Sequence, residues 1–388
     1  MKELTANGEA QAGPAACAVA AGLLLGWAVQ VDLGRATPLS LPLLAGGLAL
    51  IVWGAVRARH GQSAEGWFRA LLVAGLGVNA LCQIVAAPGI YLTSGADPIE
   101  HLRLTLLATA FGLGAVLAPA RFARRFFLPA LVVVHALLAA WMLGGSPRPF
   151  IDVFHFHEQA AERLLQGGNP YTMTFPDVYG DASPVYPAAL RKDGNVLTGY
   201  IYPAGNLYAV SLAKAVCGDP RWALAGCWLA AGVLVGFLGP RGPAFAALLL
   251  SLPRSLFVIE QGWTEVWVMF WGVLVLLAAR VRSPFLPVLF GLLLGSKHYA
   301  LLLAPLGLLL SPAGPGRERV RWWLWVIAGF VVPALPFLIG SPWGYLSSVF
   351  GFPWRQEWRL DGLSLLGLFT RDPEGAAWAG VLVAGGAC

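Results

Sequence analysis

The chain has 388 residues, 57% of them hydrophobic and only 12% charged. A soluble domain carries roughly 25% charged residues, so a solvated globular fold is excluded. The net charge of +6 does not mark a nucleic-acid binder, because most of the arginines sit in short loops between apolar segments. Five scattered cysteines (Cys17, Cys82, Cys217, Cys227, Cys388), with no CxxC or ligand spacing, argue against a disulfide framework or a zinc site.

In chain order the apolar segments are 14–33, 37–56, 70–92, 104–120, 126–145, 222–239, 243–259, 261–279, 284–297, 298–311, 322–340 and 376–388. Stretches of roughly 17–25 apolar residues cross ~30 Å of hydrocarbon as helices whose backbone bonds are internal. The alternation of a transmembrane barrel is absent. The fold expected is therefore all-α, a polytopic integral membrane helix bundle of about 12 spans. The first segment follows a polar N-terminus with the single Lys2 and is followed at once by others, so it reads as a span and not a cleaved signal. The last, Ala376 to Cys388, falls short of the ~20 residues a crossing needs and is expected to be a truncated span of a longer protein.

Basic loops mark the cytoplasmic side. Arg57, Arg59 and Arg69 form one such loop, and Arg121, Arg124 and Arg125 another. The alternate loops carry only Arg35, or Arg103 balanced by Asp97 and Glu100. Five crossings then place the segment from Gly145 to Arg221 outside. Keeping Arg241, the pair Arg280 and Arg282, and the trio Arg317, Arg319 and Arg321 inside requires that Pro203 to Cys217 be an interfacial helix and not a sixth crossing. Three units follow: a five-span N-terminal extension (1–145), an outer loop with juxtamembrane helices (146–221) and a C-terminal bundle (222–388).

The outer loop opens with an amphipathic helix. At 100° per residue Asp152, His155, Gln159, Glu162 and Gln166 share one arc, and Val153, Phe156, Ala160, Ala161 and Leu164 another. Gly167 and Gly168 cap it, and Asn169-Pro170 turns the chain. Asp152 suits either an N-cap or a general base that takes a hydroxyl proton. Tyr200-Ile201-Tyr202-Pro203 opens the second interfacial helix, where tyrosine serves equally as a membrane anchor. Glu260 and Glu265 flank Gln261-Gly262 at one outer helix end and Lys297-His298 sits at another. A lysine there either snorkels or, with His298, Arg355 or Arg359, holds a phosphate at headgroup level. The last outer loop, from Trp354 to Ser364, mixes charge with tryptophan that either anchors or stacks on sugar. No metal is required, the nearest donor group being Asp152 with Glu158 or His155.

In order, Asp152 with its helix and Gly167-Gly168-Asn169-Pro170-Tyr171, then Tyr200-Ile201-Tyr202-Pro203, Glu260-Gln261-Gly262, Gly295-Ser296-Lys297-His298 and Gly362-Leu363-Ser364-Leu365 resemble the membrane glycosyltransferases of the GT-C fold. The likeness is greatest to glycosyltransferase family 87, the polyprenyl-phosphate-mannose-dependent mannosyltransferases and their relatives. It implies a multi-pass protein, expected in a bacterial plasma membrane, with its active site on the non-cytoplasmic side. It implies inverting transfer of mannose, or another hexose or pentose, from a polyprenyl-phosphate donor to a lipid or glycan acceptor, without cofactor. Asp152 takes the position of the general base. His155, Glu162, Asn169, Tyr171, Tyr202, Glu260, Gln261, Lys297, His298, Arg355 and Arg359 are the expected substrate contacts. Two features depart from the family. About five spans precede the aspartate, and Pro203-Ala204 and Trp263-Thr264 stand where a proline pair and an asparagine are usual. A secondary transporter and a non-catalytic or polymerising envelope protein are the rival expectations.

Overall fold

The computed structural model describes residues 12–32, 35–57, 65–180, 185–312 and 316–356. Helix makes up 74% of the structure, so the architecture is a helix bundle with one minor sheet. The N-terminal part comprises α1 (Ala12–Asp32), α2 (Ser40–Arg57), α3 (Glu65–Val85), α4 (Pro98–Leu117) and α5 (Ala120–Gly145). Next come α6 (Asp152–Leu165) and α7 (Ala204–Cys217), with three two-residue strands between them. The remainder is α8 (Trp222–Gly236), α9 (Gly242–Leu250), α10 (Ser255–Gln261), α11 (Glu265–Arg280), α12 (Leu286–Leu294), α13 (His298–Leu310), α14 (Arg317–Gly340) and α15 (Pro342–Leu346). A π-turn then leads into Phe352–Arg355.

Four runs are long and apolar enough to cross a membrane, Phe68–Val85, Pro98–Leu117, Ala120–Gly145 and Arg317–Gly340, and α9 with α10 makes a fifth if the bent pair is one span. The expected straight span 243–259 is thus corrected to two helices meeting at 54°. Pro253 lies between them, and proline lacks the amide that continues a helix. The expected spans 284–297 and 298–311 also differ from regular crossings. The first is helical only over α12, and the second is a 3₁₀ helix from His298 to Leu306 with Pro305 inside it. Span 376–388 lies outside the described residues.

Antiparallel succession gives the bundle two ends. At one, Arg124 on α5 donates to the Gly239 carbonyl after α8 (2.6 Å), and the Arg280 guanidinium approaches the same glycine. At the other, the Glu260 carboxylate at the end of α10 accepts the Ile90 and Tyr91 amides (2.7 and 2.8 Å), and the Thr93 amide donates to Gly145 O (2.8 Å). Arg69, Arg124, Arg241 and Arg280 therefore share one end, and Asp152, Glu260, Glu265 and Lys297 belong to the other. The core runs down the bundle through Leu23, Leu72, Leu131, Ala139, Trp228, Ala247 and Ile259. Where α12 crosses α14, Gly291 and Gly329 let the backbones touch: a Cβ at Gly291 would lie 2.1 Å from Val326 O, and one at Gly329 2.3 Å from Val288 O.

The segment between α5 and α8 folds against the bundle. α6 ends in a Schellman motif, with Gly168 N–H donating to Arg163 O, Gly167 N–H donating to Leu164 O, and Gly167 left-handed at φ +77°. α7 starts after Pro203 and ends at left-handed Gly218. Its 14 residues span about 21 Å, less than the hydrocarbon core. Lys214 ties α7 to Glu158 and Glu162 of α6 at 2.9 and 3.1 Å. The all-α expectation needs one correction, an antiparallel sheet in the order β1 (Phe175–Pro176), β3 (Asn195–Val196), β2 (Arg191–Lys192). The β2–β3 hairpin turns at Asp193 (φ 51°) and Gly194 (φ 73°), the two left-handed residues of a type I′ turn.

Candidate functional site

Asp152 is the first residue of α6 and is half-buried. Its Oδ1 accepts from the Tyr179 hydroxyl (3.1 Å) and the Val153 amide (2.8 Å), and its Oδ2 accepts a very short bond from the Tyr186 hydroxyl. The Tyr179 hydroxyl in turn accepts from the Asp152 amide. Burial, and after it the carboxylate, push both phenols far above the usual tyrosine range, so they stay protonated and donate. A carboxylate offers about four lone-pair positions. Three are filled, and the fourth, on Oδ2, has no partner among the described residues.

Tyr202 links this carboxylate to the cations. Its ring lies 5.9 Å from Lys297 Nζ, and its hydroxyl, raised well above the usual range by burial, is also raised by Asp152 and Glu265. Lys297 forms a very short ion pair with Glu265 at the start of α11 and also faces the Tyr299 ring at 5.3 Å. His298 beside it has both ring nitrogens buried without a hydrogen-bond partner among the described residues. Asp152, Tyr202, Lys297 and His298 thus converge from α6, the start of α7 and the junction of α12 with α13.

His157 is where the sequence reading needs its main revision. His155 was the expected ligand, but His157 on the apolar side of α6 is the one fully buried. Its Nε2 donates to the Gly262 carbonyl (2.8 Å), which fixes the tautomer, so Nδ1 accepts from the Tyr200 hydroxyl (2.9 Å). Tyr200 accepts from Asn206 Nδ2 (2.7 Å). Burial lowers the His157 pKa to about 4, keeping it neutral. His155 is half-buried and makes an edge contact with the Phe154 ring.

Several expected ligands prove to be architecture. The Glu260 carboxylate is 0% exposed and spent on Ile90 and Tyr91 amides, with Gln261 Nε2 donating to it at 3.1 Å. Arg221, also fully buried, stacks on Phe154 at 4.9 Å, pairs with Asp219 and donates to the Glu260 carbonyl. Tyr171 is a core ring packed on Tyr200, Phe337 and Tyr345, donating its hydroxyl to Tyr202 O (2.9 Å). Asn169 caps the turn Pro170–Thr172 through the Tyr171 amide. Glu162 binds Lys214 ten residues along α6 from Asp152, about 15 Å down the axis. Arg355 donates to its own segment's Gly351 and Ser347 carbonyls. Arg359 and the stretch from Glu357 to Ser364 lie outside the described residues.

Three participants were not among the expected substrate contacts. Tyr179 and Tyr186 lie far from Asp152 in sequence, and their tyrosine-proline-rich context was the only signal. Tyr91 rides on the loop that Glu260 clamps. Burial, then Glu260 and Asp152, raise its phenol. No group of three His, Cys, Asp or Glu side chains fit to hold a metal ion occurs among the described residues.

The fold and site define a helical, membrane-type protein with acidic and cationic side chains gathered at one end. No family model, curated protein or solved structure matches the chain.

Proposed function

We propose that this chain is an inverting glycosyltransferase of the GT-C type, a bundle of about twelve crossings whose five-span extension precedes the site. It transfers a sugar from a polyprenyl phosphate to a lipid or glycan hydroxyl on the non-cytoplasmic face. The observation that carries this reading is the Asp152 carboxylate, oriented by two phenols with one lone pair of Oδ2 left over. That lone pair accepts the acceptor's proton as the hydroxyl attacks C1. The sugar–phosphate bond breaks with inversion, and the leaving lipid phosphate takes its compensating charge from Lys297, released from Glu265 as the anion arrives, with His298 as a neutral partner. The arginine loops at the opposite end support a cytoplasmic location there.

The test is transfer of radiolabelled sugar from polyprenyl phosphate by the protein in proteoliposomes. Asp152→Asn is expected to abolish transfer with expression and melting intact. Retained activity removes Asp152 as base. A second reading, a secondary transporter, draws on one observation, the 54° break between α9 and α10, since broken helices build transporter sites. In this chain the carboxylate at the broken pair's end is occupied by backbone amides. Substrate uptake into the same proteoliposomes without any transfer favours that reading instead.

A further inference from the structure

A groove of about 780 Å³ lies between residues 171–174, 197–199 and 343–355. Close backbone approach locks these three segments together. The Gly199 amide donates to Ser348 Oγ (3.0 Å), the Tyr200 amide donates to Pro170 O (3.0 Å), and a Cβ at Gly344 would lie 2.8 Å from Tyr171 O. At the groove, Thr198 is only 5% exposed, and its hydroxyl has no hydrogen-bond partner among the described residues. Two indoles stand open beside it, Trp343 at 79% and Trp354 at 74% exposed. Arg355 is the one charged side chain among the described lining residues, and its guanidinium donates back to Gly351 O and Ser347 O. On the same segment the Phe352 ring packs 6.3 Å from the Tyr186 ring, whose hydroxyl donates to Asp152. The groove therefore neighbours the carboxylate without including it.

We propose that this groove binds a neutral oligosaccharide, the glycan portion of the acceptor, its role as acceptor resting on the transferase reading. A pyranose ring has apolar C–H faces and a rim of hydroxyls. The faces match the exposed indoles, which offer rigid apolar area with one N–H donor each. The rim matches Thr198, because a buried hydroxyl left without a partner costs free energy that a ligand hydroxyl restores. A prenyl or acyl chain would leave that hydroxyl dry. An anion would meet only Arg355, already committed to two carbonyls. Tryptophan also anchors proteins at the membrane interface, but an anchor has no use for an unpartnered hydroxyl beside it. The volume lies in the range of small-ligand sites, enough for a short oligosaccharide.

Saturation-transfer NMR and tryptophan fluorescence test this on the full chain in phosphatidylcholine nanodiscs, free of sugar-headed detergent and of any donor. The probes are linear trisaccharides of mannose, of glucose and of galactose, with farnesol and inorganic phosphate as competitors. At least one trisaccharide is expected to bind, and neither competitor to displace it. Trp343→Ala and Trp354→Ala, both at exposed positions, are each expected to weaken that binding by about tenfold. Thr198→Val is expected to weaken it by about fivefold, with the melting temperature of the free protein unchanged or raised, because the hydroxyl removed has no protein partner. A lowered melting temperature with binding undiminished would assign that hydroxyl to the fold and overturn the proposal. Failure of every trisaccharide, displacement by farnesol or phosphate, or full binding by both tryptophan variants would overturn it too. The two readings fail separately. Trisaccharide binding without any transfer from polyprenyl phosphate keeps the glycan site and removes only its acceptor role, whereas transfer undiminished in both tryptophan variants removes the groove and keeps the transferase.

Discussion

At Asp152 the difference between a cap and a base is the company it keeps. A capping aspartate at the protein surface needs only backbone amides, and Asp152 takes the Val153 amide, yet it also takes two phenols from a segment 27 and 34 residues away. Each phenol sits where losing it lets the carboxylate rotate. Tyr186→Phe should therefore lower kcat for transfer by about tenfold, the scale of one hydrogen bond to a charged group, with KM little changed. A rise in KM at constant kcat would assign Tyr186 to binding instead. His157 behaves oppositely: it is buried neutral, with its pKa at about 4 against about 6.5 in the unfolded chain. Below pH ~6.5 the unfolded state takes up a proton that the folded state refuses. Stability is thus whole above that pH and falls as the pH drops toward 4, by about 3 kcal/mol in all. Thermal unfolding of the detergent-solubilised protein should show this slope in the wild type and a flatter one in His157→Gln. Identical slopes would mean that His157 does not carry the linkage.

Elements show how much was legible in the sequence. The amphipathic arc from Asp152, its glycine stop and the Pro203 start all follow from short-range chemistry, periodicity and caps, and all three stand in the structure. Which histidine mattered did not follow. A helix wheel separates polar from apolar faces, and His157 sits on the apolar face because its partners, Tyr200 and Gly262 O, arrive from distant elements. The Asp193-Gly194 pair was a readable hairpin signal, passed over because the surrounding strands are two residues long. Glu260 fails for a related reason: a glutamate beside Gln261-Gly262 at a helix end looks like a ligand until a loop 170 residues away presents its amides. That clamp makes a prediction at the level of the element. Glu260→Ala leaves two part-buried amides without their acceptor, which should cost about 1–3 kcal/mol and release the loop carrying Tyr91. Hydrogen exchange at Ile90 and Tyr91 should accelerate accordingly, with Glu260→Gln intermediate. Unchanged protection of both amides would show that another acceptor holds the loop.

For the whole molecule, hydropathy and the arginine loops bear on different features. Hydropathy suggested about twelve spans with the last truncated, and among the described residues four helices are long and apolar enough to cross a membrane, with a bent pair and shorter apolar helices beside them. Proline breaks and 3₁₀ turns inside apolar sequence shorten such helices while leaving hydropathy unchanged. Parity depends only on which loops share an end, and the contacts of Arg124 with Gly239 and of Glu260 with Ile90 each join two loops. The proposed orientation across the bilayer rests on the preference of arginine loops for the cytoplasm. Cysteine replacement reads it directly. In a variant stripped of its native cysteines, Lys192→Cys lies on the exposed β2–β3 hairpin and Arg121→Cys on the exposed start of α5. An impermeant thiol reagent added to intact cells should label the first and spare the second, and detergent should make both reactive. The reverse pattern would put Asp152 on the cytoplasmic side, where a lipid-phosphate donor presented at the outer surface could not reach it, and the proposed transfer would fail with the topology.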